Sequence, residues 1–229
     1  PTRRSSDLRE RCVRIASSLK NFGVKPGDTV SVLAFNTPEM FESHFSIPMA
    51  GAILNTINIR LDAPTIAYII SDSNAKIIFV DRELFSVASE ALPIASVNPK
   101  IIVINDSSAI SQPDISSDTV DYESLVDNGD PLYNWKMPGD EWSPLSLSYT
   151  SGTTGKPKGV VYHHRGSYLM SMGTVVGWNL PSHPVYLYSV PLFHCNGWGH
   201  AWTMAALAGT IICLRSFDPE KVFSLLNEH

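Results

Sequence analysis

The sequence predicts an α/β fold, a mostly parallel sheet built from βαβ units and covered by helices. Three observations predict it. Apolar, β-branched runs such as Lys76-Ile-Ile-Phe-Val80 and Lys100-Ile-Ile-Val-Ile104 have the length of strands. Segments with helical spacing alternate with them along the chain, the pattern of repeated crossovers. Runs apolar at consecutive positions suit strands buried on both faces, as parallel strands are.

The elements follow in order. Leu8, Cys12, Ile15, Leu19 and Phe22 keep the i, i+3/i+4 spacing of an amphipathic helix, which Gly23 and Pro26-Gly27-Asp28 end. Residues 29–35 read as a strand. Thr37-Pro38-Glu39 starts a helix, with Thr as N-cap and Pro at the first helical position. The pattern repeats with a strand near 52–57, a helix after Asp62-Ala63-Pro64, a strand over 76–80, a helix near 83–92 and a strand over 101–105. From Asp106 to Asp130 Ser and Asp dominate, and only 122–126 hints at a helix, so a soft internal boundary is expected near 106–142. A strand over 145–149, a Gly/Thr/Lys loop, a helix near 166–178 and a strand over 185–190 come next. A second glycine-bearing loop, a small-residue helix around 198–208, a strand over 210–214 and a helix capped by Asp218-Pro219 complete the series. Residues 1–8, Pro1-Thr-Arg-Arg-Ser-Ser-Asp-Leu8, resemble the translation of a sequencing-adaptor oligonucleotide and are read as non-native.

Composition narrows the function. The 229 residues carry 17 Lys and Arg against 22 Asp and Glu, a net charge of −5, so no broad basic field invites nucleic acid or anionic lipid. With 44% apolar and 17% charged residues, the chain is globular rather than disordered. No apolar run approaches the ~20 residues of a transmembrane helix. Cys12, Cys195 and Cys213 form no CxxC pair, which argues against a disulfide framework and a zinc site. That suits a reducing compartment, cytoplasmic or peroxisomal.

The richest stretch for chemistry is Ser148-Tyr-Thr-Ser-Gly-Thr-Thr-Gly-Lys-Pro-Lys-Gly-Val160, directly after a strand. Glycines admit close approach of backbone N–H groups to an anion, hydroxyls add donors, and lysine adds a mobile cation. A few such bonds to a charged group, at roughly 1.5–3 kcal/mol each, would hold a triphosphate despite the acidic total. The Walker A spacing fails, since Gly152 and Gly155 stand three apart and Lys156 precedes Pro157. Composition alone leaves a flexible surface turn open as the other reading. A second loop, Pro191-Leu-Phe-His-Cys-Asn-Gly-Trp198, carries His194. A packing histidine is the plainer reading of it. A thiol nucleophile at Cys195 lacks a second His or acid at diagnostic spacing, and zinc lacks further ligands near His194, His163 and His164 being distant in sequence. Trp198, Trp202 and Met204 read as core, with an acyl-pocket wall as the alternative.

The string Tyr149-Thr-Ser-Gly-Thr-Thr-Gly-Lys-Pro-Lys-Gly-Val160 closely resembles the phosphate-loop signature of the adenylate-forming (AMP-binding) superfamily. Phe193-His-Cys-Asn-Gly-Trp198, Tyr162-His-His-Arg-Gly166 and Asn58-Ile-Arg60-Leu61 before Ala63-Pro64 are similar to its medium-chain or aromatic acyl-CoA synthetase branch, which includes plant peroxisomal acyl-activating enzymes. The resemblance runs from Leu8 to His229 and covers part of the family's large N-terminal domain. It implies an acid–thiol ligase using ATP, coenzyme A and magnesium on a carboxylic acid. It implies phosphate contacts at Thr150, Ser151, Gly152, Thr153, Thr154, Gly155 and Lys158, and catalytic roles for Lys158 and His194. Arg60 is read as structural. The family's magnesium-binding Glu, ribose-binding Asp, hinge and C-terminal catalytic lysine have no counterpart here. The chain is therefore expected to be an N-terminal fragment, inactive alone, with any C-terminal peroxisomal signal outside it. Another adenylating enzyme (an amino-acid adenylation domain or a luciferase-like protein) and a non-catalytic nucleotide-binding homologue remain the alternatives.

Overall fold

The computed structural model describes residues 5–115, 117–150 and 155–229. Helix α1 (Ser5–Asn21) leads into β1 (Thr29–Leu33), α2 (Pro38–Met49), β2 (Ile53–Thr56), α3 (Ala63–Asp72) and β3 (Ala75–Asp81). After a 3₁₀ turn (Arg82–Leu84) come α4 (Phe85–Ala91), β4 (Lys100–Ile104), β5 (Val120–Asp121) and α5 (Tyr122–Asp127). The chain continues through β6 (Pro144–Thr150), β7 (Lys158–His163), α6 (His164–Gly177) and β8 (Val185–Tyr188). A tight turn (His194–Gly199), α7 (His200–Ala206), β9 (Thr210–Cys213) and α8 (Pro219–Glu228) close it.

Helix starts match the local signals. Thr37 caps α2 by accepting from the Met40 N–H, and Asp62 caps α3 by accepting from Thr65. Asp218 accepts from Glu220 at the start of α8, and each of these helices has Pro in its first turn. Residues 5–8 continue α1, and Leu8 packs against the core.

Seven strands form one sheet in the order β5-β4-β3-β1-β2-β6-β7, parallel except for β7, which runs antiparallel to β6. Every residue of β1 is buried. On one face Val30, Val32, Leu54, Ile77 and Phe79 pack with α1, α2 and α5; on the other Leu33, Ile78 and Val80 pack with α3 and α4. This two-sided burial is why the strands read as continuous apolar runs. Within the Ser- and Asp-rich segment, β5 pairs with β4 at the sheet edge, and Tyr122, Leu125 and Val126 of α5 enter the main core. A second, two-stranded parallel sheet joins β8 to β9.

Two expectations are corrected. Residues 158–163 are a strand, not the tail of a loop, because they pair with the free edge of β6 from Tyr149–Gly159 to Leu147–Val161 and beyond. The helix expected from 198 begins at His200, because residues 195–199 adopt left-handed backbone angles.

Candidate adenylation site

The site lies beyond the carboxyl ends of β1, β2 and β6, where open α/β sheets hold their ligands. Strand β6 brings the first part of it. Successive side chains of a strand alternate between faces, so Ser146, Ser148 and Thr150 share one face. Their partners across the hairpin are Tyr162, Val160 and Lys158, which share that face with them. Thr150 and Lys158 are exposed at the mouth of the hairpin, where the Thr150 hydroxyl makes a long 3.5 Å contact with the Lys158 carbonyl oxygen. Ser151, Gly152, Thr153 and Thr154 lie outside the described residues. Gly155 has φ +143°, a conformation that favours glycine. On the opposite face Tyr149 donates to Asp72 at 2.7 Å, and the Lys156 ammonium sits 5.3 Å from the Tyr68 ring centroid, so α3 braces the hairpin.

The second part is the His turn. Cys195, Asn196, Gly197, Trp198 and Gly199 all have φ between 44° and 68°. Left-handed backbone costs non-glycine residues about 1–2 kcal/mol each, so other contacts hold the turn. Asn36, just past β1, donates to the carbonyl oxygens of Tyr188 and Val190 and accepts from the Leu192 N–H at 2.7 Å. The Tyr188 hydroxyl donates to the Gly197 carbonyl at 2.7 Å. The Asn196 side chain reaches Thr56, Ser146 and Ser148, all buried.

The turn thereby presents His194 and Cys195 outward, with the Cys195 Sγ 3.9 Å from His194 Nε2. Burial, with a smaller effect of the nearby Cys195 thiol, raises the pKa of the Tyr162 phenol. The face of the hairpin that bears Lys158 and Thr150 therefore meets the turn that bears His194. Trp198 is also exposed on this turn, whereas Met204 is buried and the Trp202 indole donates to the His44 carbonyl. The aromatic and Met cluster thus divides, two side chains going to packing and one to the site's rim. Among the described residues no group of three His, Cys, Asp or Glu side chains is arranged to hold a metal.

The sequence motifs omitted the supports Asn36, Thr56 and Ser146, and gave Ser148, at the head of the loop stretch, no supporting role. Alternating serines in β6 were a usable signal, though period-2 polarity ordinarily marks a face turned to water. Here Ser146 and Ser148 on that face are covered by the His turn.

His44, fully buried in α2, is a further polar group beneath the turn. Its Nδ1 bonds the Met40 carbonyl at 2.9 Å, so the proton sits there and Nε2 is bare and without a well-formed hydrogen bond. Burial pushes its pKa down to about 4, against weaker opposing effects of the Met40 and Asn196 backbone. A histidine with a lowered folded pKa binds protons more readily unfolded, so stability falls as pH drops from about 6.5 towards 4. The loss over that window is expected to be about 3 kcal/mol. Urea unfolding of the wild type and His44→Gln across this range checks it: the wild type should lose stability relative to the variant as the pH falls, and parallel curves would refute it.

The chain resembles known proteins along nearly its whole length. The AMP-binding enzyme family model matches residues 5–229. The 2-methylpropanoate–CoA ligase of Humulus lupulus is 44% identical over 232 residues, which span 98% of this chain and 41% of the relative. The peroxisomal trans-cinnamate:CoA ligase of Petunia hybrida is 43% identical, spanning 96% of this chain and 41% of its own length. This chain thus corresponds to about two fifths of the curated relatives it matches. Among solved structures, the benzoate CoA ligase of Burkholderia xenovorans superposes with a TM-score of 0.81 at 23% identity, over 97% of this chain and 42% of that one. Because that family model accounts for all but the first four residues, the chain belongs to the AMP-binding enzyme family.

Proposed function

We propose that the protein containing this chain is an AMP-forming acid–thiol ligase. In the first half-reaction a carboxylate oxygen bonds to the α-phosphorus of ATP, and the α–β P–O bond breaks with its electron pair leaving on pyrophosphate. In the second, the thiolate of coenzyme A bonds to the acyl carbon and AMP departs. The observation that carries this reading is the meeting of the Thr150–Lys158 face with the His194 turn. In this reading Thr150, Ser151, Gly152, Thr153, Thr154, Gly155 and Lys158 hold the β- and γ-phosphates, and Lys158 offsets charge growing on the leaving group. His194 orients the carboxylate for in-line attack. Magnesium would neutralise phosphate charge.

The acid is proposed to be medium-chain or aromatic. Exposed Trp198 beside His194 supports an apolar acyl group. Relatives acting on 2-methylpropanoate and on trans-cinnamate are about equally similar, so overall identity does not choose between acid sizes. A peroxisomal or cytoplasmic location is part of the proposal, the former supported by the designation of the Petunia relative. No helix among the described residues is long and apolar enough to cross a membrane.

The test is ATP–pyrophosphate exchange by the full-length protein over straight-chain, branched and aromatic acids. Acid-dependent exchange, followed by acyl-CoA formation when coenzyme A is added, is expected; no exchange with any acid would overturn the reading. Lys158→Ala is expected to lower adenylation about 100-fold and to raise the KM for ATP. His194→Ala should lower the adenylation kcat about 100-fold or more while the KM for ATP stays within about threefold. Unchanged kinetics in both variants would remove the site assignment.

A further inference from the structure

The polar network under the His turn joins three parts of the chain through one amide. Asn196 is 2% exposed and sits at φ 45°, ψ 47°. Its Nδ2 lies 3.0 Å from Thr56 Oγ1, at the end of β2, and its Oδ1 lies 2.8 Å from Ser146 Oγ and 2.9 Å from Ser148 Oγ, in β6. Thr56 Oγ1 is also 2.9 Å from the Phe193 carbonyl oxygen, next to His194.

The proton positions in this network are forced. A carbonyl only accepts, so the Thr56 hydroxyl spends its single proton on Phe193 and can only accept from Asn196. The amide atom facing Thr56 is therefore the NH₂ group, and the oxygen faces the serines, whose hydroxyls both donate to it. Neither amide orientation nor hydroxyl rotation leaves a second solution. A buried network with one solution fixes geometry more tightly than apolar packing, because any slip leaves polar atoms unpaired.

Strand β6 ends at Thr150, and Ser146, Ser148 and Thr150 share a face. We infer that Asn196 is a positioning residue for adenylation: its amide sets the register between the strand that leads into the phosphate loop and the turn that presents His194. The inference rests on the ligase reading for its consequence, but the geometric claim stands apart from it.

The test uses the full-length protein with Thr56→Val, which keeps the side chain's shape but removes both the proton for Phe193 and the acceptor for Asn196, and with Thr56→Ser, which restores the hydroxyl. Two readouts are taken: the ring resonance of His194, assigned by its loss in His194→Ala, and acid-dependent pyrophosphate exchange. Thr56→Val is expected to shift or broaden the His194 resonance and to lower the exchange kcat about tenfold or more, with the KM for ATP within about threefold. Thr56→Ser is expected to recover both. A His194 resonance identical to wild type in Thr56→Val overturns the positioning role, whatever happens to melting temperature or rate. A shifted resonance in a protein that shows no exchange with any acid supports the positioning role and rejects the ligase reading instead. Should Thr56→Val not fold, Ser148→Ala, which deprives the Asn196 oxygen of one donor, is held to the same criteria.

Discussion

Arg215→Met is expected to lower the free energy of unfolding by about 3–5 kcal/mol, the cost of leaving a buried carboxylate without its cation. Arg215 follows β9 and reaches back to the carboxyl end of β3. Its guanidinium binds Asp81 through both nitrogens, at 2.8 and 2.9 Å, and also meets Asp106 at 3.0 Å and Glu83 at 2.9 Å. Asp81 is completely buried, and the Arg215 side chain is only 11% exposed. The guanidinium carbon also lies over the Phe35 ring, 4.3 Å from its centroid. Removing the cation leaves three carboxylates facing one another, with Asp81 unable to reach water. Because the contact ties the β8–β9 unit to the large sheet, the variant should also unfold less cooperatively. Arg215→Lys should recover only part of the loss, since an ammonium cannot reproduce the planar fork. Chemical unfolding followed by both tryptophan fluorescence and circular dichroism measures this; a change below about 1 kcal/mol in Arg215→Met would show that the cluster does not hold the two sheets together.

Gly197→Ala is the second change with a large expected effect, here on activity. Gly197 has φ +61°, where an added Cβ costs about 1–2 kcal/mol. The new atom would stand 2.5 Å from the Tyr188 hydroxyl and 3.3 Å from Leu192 Cα. Neither neighbour can give way cheaply. The Tyr188 hydroxyl is bonded to the Gly197 carbonyl, and the Leu192 N–H is held by Asn36. The turn must move instead, carrying His194 with it. A displacement of about 1 Å at a positioning group costs about 100-fold in rate. In the proposed full-length ligase, the adenylation kcat of Gly197→Ala should therefore fall by that order, with the KM for ATP little changed because the hairpin is untouched. Pyrophosphate exchange with saturating acid measures it, and a rate within about threefold of wild type would separate the turn from the chemistry.

The main sheet was legible because its determinants are local. β1, β3 and β4 are β-branched runs, and the starts of α2, α3 and α8 carry a capping side chain followed by Pro. The short helix at 122–126 was visible for the same reason, as Asp121 accepts from Ser124 and caps it. By contrast β7 was hidden. Lys158-Gly159 carries no strand preference, and Val160-Val161-Tyr162 is too short a run to declare itself. It is a strand because β6 offers a free edge, a partner that no window of sequence contains.

The His turn divides in the same way. Its motif marked His194 as a residue to watch, but nothing local tells Cys195, Asn196 and Trp198 to take left-handed angles. That choice comes from hydrogen bonds made by residues far away in sequence, Thr56 being 140 positions from Asn196. The same distance effect explains Ser146 and Ser148, polar residues on a strand that end up buried. By itself, then, the sequence determined most of the order of strands and helices (β5 and β7 apart), the caps of α2, α3 and α8, and the family, because these depend on propensities, spacings and motifs within a few residues. Only the tertiary structure decided that Thr150 and Lys158 share a face, that this face meets His194, and that one buried amide joins them, because each is a pairing between segments whose separation along the chain leaves no local trace.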